Sequence, residues 1–358
     1  MNELRLLISG YDTIECAYYL APDHGCLLDY EQLAAHKEEL RQGKSKRPTP
    51  IKLGNEEFLL AGHGTGSGYP FLIENDAFSI QFGEFNQPSF FVTFRSIALW
   101  HSSTQGLHDR FMAWAESVGL YTYKPERLSR VDSTFDYYLP AIDFDEDNFV
   151  SSFVKDNQHR KNGKVQNFRL GEGDLGLRVY NKCDEILEKS FKTWFYDLWG
   201  IDRDVWRIEW QIRKLWLRRF GIRTFEDLKE RQGDLLRILV NEHTTLRIKT
   251  EDSNRSRWPL HPLWQDFQLR VAQMEGLGVV RELNSEKLLD ERMRRITIVL
   301  YGYMKRIAAI YSLQDATTAA SLNQARAHLA VQLRNIHDPL TWETDVQRRM
   351  NEMRLGEW

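Results

Sequence analysis

Cysteine is scarce. Cys16, Cys26 and Cys183 are the only 3 in 358 residues, an odd count with no C-x-x-C spacing. That argues against a disulfide framework and against a cysteine zinc site. No apolar run approaches the roughly 20 residues that span a bilayer, and Met1-Asn2-Glu3-Leu4-Arg5 lacks the apolar core of a secretion signal. A cytoplasmic protein is expected. Neither sign of charge dominates: 48 Lys and Arg against 51 Asp and Glu leave a net charge of −3. Nucleic-acid binding would therefore have to come from local basic patches. The glycine-rich Gly62-His63-Gly64-Thr65-Gly66-Ser67-Gly68 has no GK[ST] ending and no helix after it, so it reads as a loop rather than a phosphate cradle. Aromatic residues, in contrast, are plentiful at 12%, with 11 Trp, enough for a core and for stacking platforms beside it.

The first 250 residues read as α+β and the remainder, 251–358, as helical. Extended segments are expected at Leu4–Leu20, Ile51–Ala61, Tyr69–Glu74, Phe78–Gly83 and Ser89–Phe94. Helices are expected at Tyr30–Gly43 and Gln105–Gly119. A second series follows: a strand at Leu128–Leu139, a short helix at Phe149–Lys155, a basic loop at Asp156–Lys164, and a hairpin of Gln166–Leu170 with Leu175–Lys182. A helical stretch over Asp184–Leu198, a strand at Val205–Arg213 and a helix at Thr224–His243 complete it. The similar order suggests two related halves, 1–120 and 121–250. The C-terminal helices would serve DNA binding or oligomerisation.

Three strands alternate with a period of two. In Leu175-Gly176-Leu177-Arg178-Val179-Tyr180-Asn181-Lys182, Arg178, Tyr180 and Lys182 share a side. Arg207, Glu209, Gln211 and Arg213 do so in the second strand. In Arg130-Val131-Asp132-Ser133-Thr134-Phe135-Asp136, the shared side carries Arg130, Asp132, Thr134 and Asp136. Neighbouring strands would merge these into one surface bearing a phenol, carboxylates and cations. Such a surface suits phosphoryl transfer, with the flanking cations Arg178 and Lys182 gathering phosphate and favouring phenolate at Tyr180. A Mg2+ or Mn2+ ion on the carboxylates would offset transition-state charge. The same alternation suits an ordinary antiparallel sheet with one wet face, so pattern alone leaves both readings open.

These residues resemble the Rep_trans family of rolling-circle replication initiators of plasmids and bacteriophages. Arg178-Val179-Tyr180-Asn181-Lys182 is similar to its R-x-Y-[DN]-K motif. Arg130-Val131-Asp132-Ser133-Thr134-Phe135-Asp136 is similar to its R-[IV]-D-x-x-x-D strand, and Arg207-Ile208-Glu209 to its R-[IV]-E strand. The resemblance implies a relaxase-like antiparallel sheet with flanking helices. It implies metal-dependent nicking and joining of one strand at an origin, through a 5′-phosphotyrosine on Tyr180 that leaves a free 3′-hydroxyl. Asp132 and Glu209 would be the metal ligands; related relaxases use H-x-H, a spacing absent from this chain. Implied partners are origin DNA with an exposed single strand, a host helicase and, as a further option, a second copy of the chain. Arg130, Arg207, Arg160, Lys161, Lys164 and Arg213 are the candidate DNA contacts. The rival readings are a catalytically inactive DNA-binding regulator and a mobilisation relaxase.

Overall fold

The computed structural model describes residues 4–43, 48–153, 156–161, 164–275, 285–315 and 319–354. They form the expected α+β arrangement of antiparallel sheet, flanking helices and helical C-terminal region. In chain order the first series is β1 (Arg5–Pro22), α1 (Tyr30–Gln42), β2 (Thr49–Leu53), β3 (Glu56–Leu60), β4 (Phe71–Glu74), β5 (Phe78–Phe82), β6 (Phe90–Phe94), α2 (Ser96–His101) and α3 (Thr104–Ser117). The second begins with β7 (Leu120–Tyr138), β8 (Phe149–Ser151), β9 (Asp156–Lys161), β10 (Lys164–Leu170), β11 (Leu175–Asn181), α4 (Lys182–Glu185) and α5 (Trp194–Trp199). It continues with β12 (Val205–Arg213), α6 (Lys214–Arg219), α7 (Phe225–Ile238), β13 (Thr244–Leu246) and α8 (Pro262–Ala272). Helices α9 (Ser285–Asp315), α10 (Leu322–Ile336) and α11 (Pro339–Arg354) follow.

Two compact units result, one reaching Val280 and the other Arg281–Leu355. The division lies beyond the expected boundary at residue 250, because α8 belongs to the sheet unit. His261 caps it, Pro262 occupies its first turn, and Leu263, Trp264, Phe267 and Val271 are sealed in the core.

The large sheet has 11 strands in the order β2-β3-β4-β5-β6-β1-β7-β12-β11-β10-β9, with antiparallel neighbours throughout. Read outward from the central β1–β7 pair, the order repeats: last strand of the series, then the one before it, and so on. In each series the strand beside the central pair is followed by a short helix and then a long one. Aligning the short helices α2 and α6 at their first residues sets Thr93 over Gln211. The strand registers then carry Glu15 onto Asp132 and Ser79 onto Gly176. By the same count Gln81 falls where Arg178 does, and Gly83 where Tyr180 does.

Alternation decides which side is core. Ile208, Trp210 and Ile212 of β12, Val131 and Phe135 of β7, and Leu177 and Val179 of β11 are all buried in one cluster. Onto this face pack Phe111 and Trp114 of α3, Phe225 and Leu228 of α7, and the apolar side of α8. Burying such a ring stabilises by roughly 2–3 kcal/mol, so the face is a strong determinant of register. Helix α7 starts at a reciprocal cap: Thr224 Oγ1 accepts from Asp227 N, and Asp227 Oδ2 accepts from Thr224 N at 3.0 Å.

Three expected elements differ. Ile51–Ala61 is two strands split at Gly54, whose φ of 59° makes the turn. The helix expected at Phe149–Lys155 is instead strand β8, paired with Thr244–Leu246 of β13; β-branched and aromatic residues on both segments favour the pairing. The basic loop Asp156–Lys164 contributes its backbone to β9 and β10.

His243 closes the wider turn that follows α7, among the rings of Phe153, Trp210 and Trp216. Burial, with Arg219 adding to it, pulls its pKa down to about 4. A depressed imidazole must stay neutral in the fold. Its contribution is complete above the unfolded value near 6.5 and is lost as pH falls towards 4. Urea unfolding of the wild type should lose about 3 kcal/mol more over that window than His243→Gln, which cannot titrate. Parallel acid limbs for the two proteins would contradict this.

In the second unit α9 packs against α10, with Tyr311 and His328 in ring contact at 5.3 Å. Among its described residues only Met304 and Ala325 are buried, while Ile298, Leu300, Ile336, Leu340 and Trp342 are exposed.

Candidate active site

Residues paired across antiparallel strands share a face. The register sets Arg178 beside Glu209, and Glu209 beside Thr134; Tyr180 lies beside Arg207, and Arg207 beside Asp136. One step along, Gly176, Gln211 and Asp132 form a third row. Tyr180, Glu209 and Asp132 are thus brought onto one side of the sheet, opposite the core. That side is not the wet surface expected. Asp132, Thr134, Asp136, Arg207 and Glu209 are all buried, none more than 1% exposed.

The tyrosine ring itself is half-buried. Its hydroxyl donates to Glu209 Oε2 at 2.8 Å, and Arg178 ion-pairs with Oε1 of the same carboxylate. The Arg178 guanidinium and the Lys182 ammonium each lie 5.7 Å from the ring centre. The expectation that these cations favour phenolate is corrected. Burial, followed by the negative charge of Glu209, pushes the Tyr180 pKa well above its ordinary value, and Arg207 and Arg178 offset this only in part. The resting group is a neutral phenol whose proton faces a carboxylate.

Asp132 is gripped by Arg130 through two parallel bonds of 2.8 and 2.5 Å. A third Arg130 nitrogen reaches Glu15 of β1 at 3.2 Å. With its amide oxygen turned towards Arg130, Gln211 accepts from Nε at 3.0 Å. Burial raises the Asp132 pKa to about 6; Arg130 opposes the rise and Glu209 adds to it. The two carboxylates therefore feel one another across β7 and β12. Among the described residues no group of three or more His, Cys, Asp or Glu side chains is placed to hold a metal ion. Asp132 and Glu209 offer hard oxygen donors, the ligand type a divalent cation takes. Its arrival would have to displace the guanidinium groups of Arg130 and Arg178 from those oxygens.

Arg207, expected at the DNA, is instead a structural cation. It bonds Asp136 at 2.6 and 2.8 Å and Asp12 at 2.7 Å, and the Phe195 ring lies 4.5 Å from its guanidinium. Trp199 Nε1 donates to Asp136 at 2.9 Å; Ser96 and Lys192 reach Asp12 at 2.9 and 3.2 Å. The cluster pins the α4–α5 segment across this end of the sheet. Lys182 opens that segment. It is buried and bonded to Glu185 at 2.6 Å, and burial, with Arg207 nearby, lowers its pKa. Arg207→Ala would leave Asp136 without its cation in a dry place and Asp12 with Lys192 alone. A loss of about 3–5 kcal/mol is expected, read from the urea midpoint; a loss below about 1 kcal/mol would remove the cluster's structural role.

Of the other expected DNA contacts, Arg130 and Arg213 are partly exposed. Arg160, Lys161 and Lys164 lie outside the residues whose side chains are described. Asp12 and Glu15 are not among the residues the sequence pattern marks. Asp12 had a signal: it stands in the Gly10-Tyr11-Asp12 break of the first strand, where the β1–β7 register shifts by one residue.

The chain matches no protein-family model and no curated protein. Among solved structures it is similar to the rolling circle replication initiator protein from Geobacillus stearothermophilus, at 17% sequence identity and a TM-score of 0.44, over 76% of this chain and 98% of that one.

Proposed function

We propose that the chain is a replication initiator of the rolling-circle kind, which nicks and rejoins one DNA strand through Tyr180. The observation that carries this reading is the 2.8 Å hydrogen bond from the phenol to Glu209, on a surface where Arg178 and Arg130 await phosphate. Tyr180 Oη attacks the phosphorus, an O–P bond forms, and the bond to the 3′ oxygen breaks. The phenol proton passes to Glu209 Oε2. The departing 3′ oxygen takes a proton from solvent and becomes a free hydroxyl, while the 5′-phosphate stays on the ring. Attack by a 3′-hydroxyl reverses each step and reseals the strand.

Arg178 and Arg130 exchange their carboxylate partners for phosphate oxygens, a charge-assisted contact of matching geometry. Asp132 and Glu209 would hold Mg2+ or Mn2+, which when bound would supply charge neutralisation at the phosphate. Lys182, at 5.7 Å from the ring centre, positions the phenol through its packing against the ring. The test is incubation of supercoiled DNA, carrying the sequence that flanks the gene, with protein and Mg2+ or Mn2+. Relaxed circles together with a covalent protein–DNA band on a denaturing gel are expected. Tight binding without either product would favour the inactive regulator.

For the helical unit, oligomerisation is the better supported role. Among the described residues of α9 and α10 only Met304 and Ala325 are buried, little for a core, and a second copy presenting the same apolar faces would complete a bundle. Sedimentation equilibrium should give twice the mass of one chain, falling to one chain when Leu300 and Ile336 are replaced by Glu; a monomeric wild type would reject the assignment.

A further inference from the structure

Beyond Asp132 the central pair β1–β7 runs on towards the far end of the sheet. The odd residues of β1 keep one face: Ile14, Cys16, Tyr18 and Leu20 are buried in the core, so Glu15 and Tyr19 lie on the side of the carboxylates. Their partners in β7 are Arg130 and Lys124, with Arg127 opposite Ala17 and Tyr121 opposite Ala21. Tyr121 and Tyr123 are 53% and 48% exposed, large values for rings in a paired strand. Lys124 lies 4.4 Å from the Tyr19 ring centre, and Tyr123 meets the same ring edge-on at 6.2 Å. Neither Lys124 nor Arg127 has a carboxylate partner among the described residues. Strand β12 stops at Arg213, beside Arg130, and beyond it the Arg223 carbonyl accepts from Leu128 N, which brings another cation to the ribbon.

Exposed rings beside two cations that lack a carboxylate partner suit one kind of ligand. Unpaired bases stack on rings without regard to sequence, and their phosphates follow the cations. A duplex keeps its bases stacked inward and cannot use the rings. An acidic peptide would use the cations but leave the aromatic surface unexplained.

We propose that single-stranded DNA lies along β1–β7, with bases on Tyr19, Tyr121 and Tyr123 and phosphates on Lys124, Arg127 and Arg130. The track rests on the nicking reading, since it ends at Asp132, diagonally across from the Glu209 that accepts from the tyrosine. Lys124 and Asp132 lie roughly 25 Å apart along the strand, room for several nucleotides held in line with the reacting phosphate. The rings belong to binding rather than chemistry, so they set affinity for the strand and leave the bond-breaking step to Tyr180.

The experiment is fluorescence anisotropy of the full chain, at two salt concentrations, with a labelled mixed-sequence single-stranded oligonucleotide and with its duplex. Tyr121→Ala and Tyr123→Ala should each weaken single-strand binding about tenfold, while Tyr121→Phe and Tyr123→Phe keep wild-type affinity. Lys124→Gln should reduce the steepness of the salt dependence by about 0.7. Thermal melts matching the wild type exclude misfolding. Should the alanine variants bind the single strand as tightly as the wild type, the track is wrong even if Tyr180 still nicks. Should the wild type bind single strands yet never nick, the track stands and the nuclease reading falls. Absence of single-strand binding by the wild type would end the track outright.

Discussion

Tyr180→Phe is expected to abolish both nicking and the covalent protein–DNA band, while leaving the fold and DNA binding intact. The change removes one oxygen. The ring stays, still flanked by Arg178 and Lys182 at 5.7 Å, and only the 2.8 Å bond to Glu209 is lost. Glu209 keeps Arg178 as an ion-pair partner, so its charge is not stranded and the stability cost should stay near 1 kcal/mol. No hydroxyl nucleophile lies on an adjacent position of β11, whose neighbouring outward residue is Arg178. Nicking should therefore fall by at least the 10⁴-fold detectable on a gel, since the chemistry loses its nucleophile rather than an assistant. Residual relaxation within about tenfold of wild type would show that another group attacks, and Tyr180 would become an ordinary half-buried ring.

The tyrosine strand and its two neighbours were legible in the sequence because their side chains alternate over long enough runs. Trp206, Ile208, Trp210 and Ile212 could only be one face and Arg207, Glu209 and Gln211 the other, and the registers set Glu209 and Asp132 on the side of Tyr180. What alternation does not record is what lies over a face. Alternation puts Arg207 and Asp136 on the solvent side, yet the α4–α5 segment and the first strand bring Phe195, Trp199 and Asp12 onto them. That misjudgement carries straight into the chemistry, because burial is the leading reason the phenol is held protonated. The repeat was legible as an order of elements along the chain, but not as residues. Glu15 stands where Asp132 does, but Gln81 and Gly83 stand where Arg178 and Tyr180 do, so the halves share a pleat and a register rather than residues. Long-range pairing of β1 with β7 leaves no local trace in either segment. Side-chain periodicity reads one strand at a time.

Glu209→Gln is expected to slow nicking by about 10²–10⁴-fold, the span associated with loss of a positioned base, and to change the shape of the pH profile. In the wild type the proton leaves the phenol for Glu209, so the rate does not wait for solvent to generate phenolate. The acid limb should then follow Asp132, whose pKa of about 6 means that below this value the carboxyl is protonated and no longer offers its charge to a divalent cation. Activity should rise as pH passes 6 and level off above 7. In the variant the amide cannot take a proton, and phenolate must form by loss to water. Removing the negative charge of Glu209 relieves the second largest of the three causes that raise the Tyr180 pKa, burial and Asp12 being the others, so phenolate becomes easier to reach though still scarce at neutral pH. The rate should therefore climb tenfold per pH unit through pH 8–9, where the wild type is flat. Glu209→Asp separates base from placement: it keeps the charge but withdraws it by one methylene, so a rate between the two with the flat profile retained is expected. A profile for Glu209→Gln that runs parallel to the wild type at every pH would assign the carboxylate to holding Arg178 or a cation, with the phenol proton leaving by another route.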